Sequence, residues 1–384
     1  MKKALAIVLA AVMAMSVTAC SSGSSQTAAA NKTSGDASKS ASESGTGSGK
    51  KCHFEIVSKG FQSTYWQAVY KGATAELKAL NDKAGYEKYS MNFVGPDSES
   101  DVATQVQEFS SALNAKPDAL GLAALDVSAL LGSIKNAQSS KIPIIGFDSG
   151  VPNAPKGAVL ANASTDNYAA GKVAADSMYD KIKDRLSKGK VRIGEINQDA
   201  TAESITSRGL GFIDEMIAKL KAGGKKVFVT GNEKYVGSCK GADGTKANAD
   251  VTIEVRVPAQ TTTELCATEA GVILNESDTV AIFGSNQVAA EGILTANETL
   301  QILGSDNGKI LAVGFDSGKV IKNAVKAGTM YGAVTQSPVK IGSVLVDLLA
   351  AASEGKSVKD TDTGCAFYTS ANISSPEIAQ NLYD

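Results

Sequence analysis

Histidine and tryptophan are almost absent from this chain of 384 residues, which contains only His53 and Trp66. Its five cysteines are far apart and form no CxxC pair. Zinc sites use closely spaced cysteine and histidine ligands, and a serine or cysteine triad needs a histidine base. We therefore expect no zinc site and no histidine-dependent triad, and the sequence indicates no metal and no cofactor.

The chain also lacks a charge bias. Its 38 Lys and Arg residues nearly balance its 40 Asp and Glu residues, and lysine is spread along the whole sequence. This distribution argues against a nucleic acid partner, which would require a clustered basic surface. After residue 20, no apolar segment is long enough to span a bilayer.

The first twenty residues have the pattern of an export signal. Lys2 and Lys3 precede an apolar stretch, Ala4–Met15, which is too short for a membrane span. The four residues that end at Cys20, VTAC, match a lipobox, so the chain resembles a bacterial lipoprotein. Residues 1–19 are the predicted signal peptide and Cys20 is the predicted lipidation site. The alternative is a plain signal peptide whose cysteine is incidental.

Residues 20–50 contain the predicted lipidated cysteine and a flexible tether, because Ser, Gly, Ala, Thr and Lys cannot bury enough apolar surface to fold. Roughly 330 residues follow, more than one hydrophobic core usually holds, so we expect two domains. Four cysteines remain after Cys20. An even number in an exported protein indicates disulfides, with three possible pairings.

The motif GFDSG occurs twice, at the ends of residues 142–150 and 310–318, each time after four apolar residues. Such a run is typical of a strand buried on both faces, as in a parallel sheet covered by helices. Ligands bind beyond the carboxyl ends of these strands, where Asp148 and Asp316 would project. The duplication predicts two similar lobes that share a crevice. The alternative is two ordinary strand-to-helix turns with capping aspartates.

Strands and helices alternate along the rest of the sequence. The predicted strand His53–Ser58, for example, precedes apolar residues at helical spacing from Trp66 to Leu80. This order predicts an α/β fold with doubly wound parallel sheets. The polar residues 231–250 are predicted to be an inserted loop, and Tyr331–Gln336 a short helix.

These motifs and their order resemble the type I periplasmic sugar-binding proteins that feed ABC importers, the ribose-binding group in particular. The resemblance extends from about residue 54 to the end of the chain. Besides both GFDSG copies it rests on Tyr65-Trp66, Thr165-Asp166-Asn167 before a helix with Gly171, RGLGF from Arg208, FGSN ending at Asn286 and TQSP from Thr335.

In that family, two lobes are joined by a hinge of three crossing strands, because the chain enters the second lobe and returns. The resemblance implies crossings near Ser164, Gln336 and Phe367. It implies an N-terminal lobe of residues 51–164 plus 337–366 and a C-terminal lobe of residues 165–336 plus 367–384.

The resemblance also implies a ligand site between the lobes. A sugar has apolar faces that aromatic rings cover and a rim of hydroxyls that planar polar groups satisfy. Tyr65 and Trp66 would stack on a face, whereas carboxylates would accept hydroxyl protons and an arginine fork would donate. The predicted ligand-binding residues are Tyr65, Trp66, Asp148, Ser149, Arg208, Asn286, Asp316 and Gln336.

Several of these residues have a purely structural alternative. Trp66 could serve only the core, and Arg208 could form a salt bridge on a helix surface. Asn286 and Gln336 could satisfy backbone groups at strand ends.

The sequence departs from the family pattern at three places. Ser149 stands where an arginine is frequent, Gln287 where an aspartate is frequent, and residues 258–261 contain no aromatic. The pocket is therefore expected to be less cationic and less aromatic than in the ribose relatives, so the identity of the sugar stays open.

With this lobe assignment, a disulfide within a lobe is favoured, since a bridge between lobes would oppose their relative motion. We predict the pairs Cys239–Cys266 in the second lobe and Cys52–Cys365 in the first lobe or its hinge.

The predicted function is that of an extracytoplasmic lipoprotein, attached to the membrane only through its lipid. It would bind a neutral monosaccharide or related polyol as a monomer and deliver it to an ABC permease and its ATPase, without catalysis. One alternative is a receptor for another small polar ligand, such as a furanosyl signalling molecule or a nucleoside. A repressor on the same core would need an N-terminal DNA-binding helix pair, and a glycosidase would use the two aspartates.

Overall fold

The computed structural model describes residues 49–187 and 189–384, so the predicted signal peptide, Cys20 and most of the predicted tether lie outside the described residues. The first part of the described chain contains β1 (Cys52–Val57), α1 (Thr64–Ala84), β2 (Tyr89–Val94), α2 (Val102–Asn114), β3 (Ala119–Leu122), α3 (Val127–Ser139), β4 (Ile144–Phe147) and β5 (Val159–Ser164). The second part contains α4 (Asn167–Ile182), a 3-10 turn (Lys183–Arg185), β6 (Val191–Ile196), α5 (Glu203–Ala222), β7 (Val227–Gly231), α6 (Glu233–Ser238), β8 (Val251–Arg256), α7 (Thr263–Leu274), β9 (Thr279–Gly284), α8 (Gln287–Leu300), β10 (Leu311–Phe315), α9 (Lys319–Ala327) and β11 (Gly332–Gln336). The last part contains α10 (Pro338–Ser353), β12 (Thr361–Asp362), β13 (Cys365–Thr369) and α11 (Pro376–Ala379).

Six strands form the sheet of the first lobe, in the order β12-β5-β4-β3-β1-β2, and all neighbours are parallel. Its strands are short apolar runs because both faces are covered. Helices α1 and α10 enclose one core against the sheet, and α2 and α3 enclose the other. This is one doubly wound α/β unit.

Seven strands form the sheet of the second lobe, in the order β13-β11-β10-β9-β6-β8-β7, and only β13 is antiparallel to its neighbour. Residues of β10 alternate between two cores: Leu311 and Val313 face α4 and α5, whereas Ala312 faces α7 and α8. The predicted fold class, two doubly wound parallel-sheet lobes, is therefore confirmed.

The chain passes between the lobes at three places. It enters the second lobe after β5, returns between β11 and α10, and crosses again between Asp362 of β12 and Cys365 of β13. The third connection thus lies slightly before Phe367, because Cys365 and Ala366 already pair with β11.

Three local expectations differ from the structure. The segment Tyr331–Gln336 is not a helix: residues 332–336 form the buried strand β11, and the helix before it ends at Ala327. Residues 231–250 are not wholly irregular, because they include α6. Strand β2 was not predicted, since only two of its six residues, Tyr89 and Phe93, are buried in the core.

The predicted disulfides are wrong, because all four cysteines that the structure describes are free thiols. Cys239 packs on the core beneath α4 and α5, whereas Cys266 lies in the core beneath α7 and α8, so the second sheet separates them. Cys52 belongs to the first sheet and Cys365 to the second. Neither predicted pair is therefore positioned to form the short bond that a disulfide requires.

None of the helices in residues 49–384, Lys188 set aside, combines the length and apolar character that a membrane crossing needs.

Candidate functional site in the cleft between the lobes

A cavity of about 320 Å³ lies between the two lobes, beyond the carboxyl ends of strands from both sheets. Such edges are where open parallel sheets bind ligands. Most of the predicted site residues meet there, together with polar residues that the sequence analysis did not select. The main lining residues are Lys59, Tyr65, Trp66, Glu99, Asp148, Gln198, Ser204, Arg208, Asn286, Gln287, Glu291, Asp316 and Gln336.

In both GFDSG motifs the aspartate directly follows a strand and has a positive φ angle, but only the first motif closes a turn, in which the Gly150 N–H donates to Phe147 O. The φ angles of Asp148 and Asp316 are 54° and 71°, in the left-handed region that aspartate tolerates better than most residues. The backbone N–H of Asp148 donates to Ala163 O at 3.0 Å, and that of Asp316 to Val334 O at 2.6 Å. Each aspartate is thus tied to the next strand of its sheet, and its carboxylate is directed into the cleft.

Asp148 belongs to a buried ionic cluster. Its carboxylate accepts a hydrogen bond from the Tyr65 hydroxyl at 2.6 Å and lies 3.2 Å from the Lys59 ammonium. Burial raises the pKa of Asp148, but the Lys59 charge and the Tyr65 hydrogen bond outweigh it, so the pKa lies below its usual value. Lys59 is only 3% exposed, and Asp148 and Glu99 keep its pKa above the ordinary value despite burial.

Asp316 has no ammonium partner of this kind among the described residues. It accepts from the Gln336 amide at 2.7 Å and from the backbone N–H of Gln287 at 3.1 Å. Burial raises its pKa above the usual value, and the Arg208 guanidinium and the Gln336 hydrogen bond offset that effect only in part. The two corresponding aspartates therefore have opposite pKa shifts.

Arg208 is 2% exposed, so it does not form a salt bridge on a helix surface. Its guanidinium donates to Ser285 O at 2.7 Å and to Asn167 Oδ1 at 2.8 Å, and it stacks on the Phe315 ring at 3.6 Å. The Nε–H has no hydrogen-bond partner among the described residues. A buried donor of this kind, on a residue that lines the cavity, suits a ligand oxygen.

Arg208 can lie this deep because α5 packs very closely on α4. A Cβ at Gly171 of α4 would lie 2.0 Å from the Arg208 carbonyl oxygen, and one at Gly211 of α5 would lie 2.1 Å from the Tyr168 carbonyl oxygen. Two glycines thus set the helix separation that places the guanidinium over Phe315.

The aromatic pair on α1 contributes to both the cavity and the core. The rings of Tyr65 and Trp66 lie edge to face with centroids 5.1 Å apart, and both residues line the cavity. Trp66 is also 1% exposed and packs on Phe147 of the first core at 6.1 Å. Its indole N–H donates to the Glu99 carboxylate at 2.8 Å.

The remaining predicted residues occupy distinct positions. Asn286 caps α8 by accepting from the Ala289 N–H at 3.0 Å, and its amide donates to Gln198. Gln336 lines the cavity, whereas Ser149 does not: it borders an adjoining cavity, and its hydroxyl lies 3.0 Å from that of Ser204.

The sequence analysis missed the polar residues that connect the lobes. The Lys59 ammonium of the first lobe lies 3.2 Å from the Ser204 hydroxyl of the second, and the Gln198 amide donates to Glu99 at 2.9 Å. Lys59 lies two residues after β1, and Gln198 lies two residues after β6. The position of each beyond the end of a buried strand was the only signal that could have identified them.

Among the described residues there is no group of three or more His, Cys, Asp or Glu side chains arranged to hold a metal ion.

A two-lobed α/β molecule with a polar cavity lined by both lobes defines the class of bilobal solute-binding proteins. A family model described as periplasmic binding protein domain matches residues 54–357, and the chain belongs to that family.

Individual relatives extend over most of the chain. The ribose import binding protein RbsB of Bacillus subtilis is 24% identical over 321 residues, which cover 84% of this chain and 88% of that protein. The D-allose-binding periplasmic protein of Escherichia coli is 23% identical over 319 residues, 82% of this chain and 88% of the relative.

Solved structures show the same architecture. A Brachyspira murdochii protein, described as an ABC transporter and LacI family transcriptional regulator, has a TM-score of 0.70 at 34% identity and covers 87% of this chain and 99% of its own. An ABC transporter solute-binding protein from Agrobacterium vitis, with bound D-fucose, has a TM-score of 0.70 at 28% identity, with 86% and 100% covered. A carbohydrate transporter solute-binding protein from Agrobacterium radiobacter, in complex with D-arabinose, has a TM-score of 0.69 at 26% identity, with 86% and 99% covered.

Proposed function

We propose that this protein is the extracytoplasmic substrate-binding component of an ABC importer, and that it binds a neutral monosaccharide or related polyol in the cleft. The observation that carries the proposal is a cavity of about 320 Å³ in which donors and acceptors of both lobes converge. Relatives of this chain are named for ribose and D-allose, and structures of others hold D-fucose and D-arabinose.

The chemistry of the cavity suits a polyhydroxylated ring. Asp148 and Asp316 offer carboxylate oxygens to ligand hydroxyls, and Arg208 offers its Nε–H to a ring or hydroxyl oxygen. Tyr65 and Trp66 provide the apolar wall for a sugar face.

Four other residues have proposed roles at the site: two contact the ligand, and two act on the Asp148 carboxylate. We propose that Asn286 and Gln336 orient hydroxyls through their amides. Ser149 acts on the ligand indirectly, because its hydroxyl donates to the Asp148 carboxylate at 3.1 Å. Lys59 holds that carboxylate ionised, and so keeps it an acceptor.

The proposal includes an export signal in residues 1–19 and lipidation at Cys20, followed by a tether through residue 50. A monomer anchored in this way would stay near its permease and ATPase while its lobes remain free to move. The lobes are taken as residues 51–164 plus 337–364 and residues 165–336 plus 365–384, because Cys365 and Ala366 pair with the second sheet. Mass spectrometry of the exported protein tests the anchor: a diacylglyceryl group on an N-terminal Cys20 supports it, and an unmodified Cys20 contradicts it.

One observation favours catalysis as a second candidate. The pKa of Asp148 is lowered while that of Asp316 is raised, which is the pattern of a base and an acid in glycoside hydrolysis. Both Asp316 oxygens, however, already accept hydrogen bonds from the protein, and the family consists of binding proteins. Incubation with a panel of disaccharides should therefore give no cleavage, and released monosaccharide would establish a glycosidase.

A thermal-shift screen over neutral monosaccharides, with calorimetry of each hit, tests the binding proposal. We expect at least one neutral sugar to raise the melting temperature, because a ligand that binds only the folded state stabilises it. Nucleosides and furanosyl signalling molecules serve as comparison ligands. Binding of these alone would replace the sugar assignment within the same receptor class.

A further inference from the structure

A continuous row of hydrogen bonds crosses the cleft from one lobe to the other. The Trp66 indole donates to Glu99 Oε1 at 2.8 Å, and Gln198 Nε2 donates to Glu99 Oε2 at 2.9 Å. The Asn286 amide in turn donates to Gln198 Oε1. Glu99 belongs to the first lobe and Gln198 to the second, so their contact is the point at which the row passes between lobes.

This contact separates two cavities. Glu99 and Gln198 line the sugar cavity of about 320 Å³, and both also line a second cavity of about 250 Å³ on their other side. Besides Glu99 and Gln198, the second cavity is lined by five polar residues and by small or aliphatic ones; the polar residues are Ser100, Asp199, Thr201, Gln260 and Thr261. It has room and hydrogen-bonding groups for a hydroxylated unit, but lacks an aromatic side chain for stacking.

We propose that Glu99 and Gln198 form a size gate that restricts the site to a single sugar unit. With the gate shut, a ligand is enclosed on this side, and a second unit joined to it would meet the Glu99–Gln198 pair. The inference rests on the proposed sugar-binding function and makes these two residues specificity determinants for monosaccharides over disaccharides.

The gate is held firmly because each end of it is fixed. Glu99 is fixed by the buried Trp66 indole, and its carboxylate lies 3.7 Å from the Lys59 ammonium. Gln198 is 1% exposed and is held by Asn286, whose own side chain caps α8. Opening the gate would break the hydrogen bond from the Gln198 amide to the Glu99 carboxylate, and a bond to a charged acceptor costs more to lose than a neutral one.

Two substitutions open the gate by different physical means. Gln198→Ala removes the side chain and joins the two cavities. Gln198→Glu keeps the size but places a second carboxylate against Glu99, so like charges separate the pair. The matched control is Gln260→Ala, which changes the lining of the second cavity only.

The binding test uses a monosaccharide found by the screen and a disaccharide that contains it. We expect the wild-type protein and Gln260→Ala to bind the disaccharide at least about a hundredfold more weakly than the monosaccharide. Both Gln198 variants should reduce that ratio at least about tenfold. Equal binding of both sugars by the wild type, or an unchanged ratio in both Gln198 variants, overturns the gate while the sugar-binding function stands. If the wild-type protein bound none of the sugars tested, the proposed sugar-binding function itself would be overturned.

A second measurement needs no ligand. Trp66 is the only tryptophan and borders the gate, so its quenching by acrylamide reports how open this side of the cleft is. Quenching should increase in both Gln198 variants and remain unchanged in Gln260→Ala. Folding is checked by the melting curve, and a folded Gln198→Ala variant with wild-type quenching contradicts the gate.

Discussion

At the scale of single residues, the aspartates of the two GFDSG motifs have different electrostatic surroundings, which shift their pKa values in opposite directions. Asp148 and Asp316 share a backbone conformation, yet only Asp148 lies beside a buried ammonium, that of Lys59. The surroundings rather than the turn therefore decide the protonation of each carboxylate.

The first prediction separates binding from stability at Asp316. We expect Asp316→Asn to weaken sugar binding about tenfold to a hundredfold, because the loss of a buried charged acceptor costs about 1–3 kcal/mol. The melting temperature of the empty protein should change little, since the removal of a buried charge offsets the loss of an acceptor for Gln336 or Gln287. Calorimetry and melting curves measure both effects. A variant that melts earlier but binds like the wild type would assign Asp316 a structural role.

The second prediction compares the pH dependence of the two turns. A raised pKa, as at Asp316, gives stability that is present below the unfolded pKa of about 3.9 and is lost as pH rises through the folded pKa. A lowered pKa, as at Asp148, gives stability that is present above the unfolded value and is lost as pH falls through the folded pKa.

The melting temperature of Asp316→Asn relative to wild type should therefore improve as pH rises from about 3 to about 6, and that of Asp148→Asn should worsen. Melting curves across this range measure the two differences. Parallel pH trends in the two variants would contradict the assigned environments.

The sequence identified the two GFDSG aspartates as site residues, but it did not identify Lys59, the buried cation beside Asp148. Asp148 and Asp316 were recognisable because they follow apolar runs of strand length. Lys59 was not, because a lone lysine in a lysine-rich chain carries no sign of burial. The contact between Glu99 and Gln198 joins loops of different lobes, so no local pattern could have revealed it.

At the scale of elements, the position of Arg208 depends on the close contact of α4 with α5. Gly171 is the residue that permits it, since an added Cβ would also lie 2.8 Å from the Phe212 nitrogen. Helix packing and ligand binding are thus coupled through Gly171, together with Gly211 on the facing helix.

The third prediction tests that coupling with Gly171→Ala. The added methyl group must push the two helices apart, at a cost of about 1–3 kcal/mol, and it should also weaken sugar binding through Arg208. The matched control is Gly132→Ala in α3, where nothing lies within 4 Å of the new Cβ. That variant should melt at the same temperature or slightly higher, because alanine favours a helix over glycine. Equal melting temperatures for the two variants would show that the helices adjust freely.

Elements with simple patterns were predictable, whereas their long-range pairing was not. The strands β4 and β10 could be predicted from their apolar runs. Strand β2 was missed because four of its six residues, at positions 90, 91, 92 and 94, are not buried. The cysteine pairs were wrong because sequence order does not show which face of a sheet a helix covers.

At the scale of the whole molecule, the lobes meet through buried polar contacts. Ser204 of the second lobe lies within hydrogen-bond distance of both Lys59 and Ser149 of the first, and all three residues are at least 97% buried. Tyr383 adds a further link between the lobes. Its ring centroid lies 5.9 Å from that of Tyr65, and its backbone N–H donates to the Ser317 hydroxyl at 2.9 Å.

The fourth prediction concerns closure. A ligand held by groups of both lobes favours the state in which both half-sites meet, so saturating sugar should decrease the radius of gyration and change Trp66 fluorescence. Ser204→Ala should weaken binding by loosening the closed state. Solution scattering with and without sugar measures this shift, and tight binding with unchanged scattering would place the site within one lobe.

The three connections between the lobes also determine the order in which a growing chain can fold. The first lobe contains the earliest residues, yet its core needs α10, whose Ile341, Leu345 and Leu349 pack against the same sheet and α1. Almost all of the second lobe lies in one continuous stretch, residues 167–336, which precedes α10. A nascent chain that has emerged as far as residue 336 therefore carries a nearly finished second lobe and a first lobe in which α1 alone covers one face of the sheet. The half of the molecule that is synthesised first is completed last.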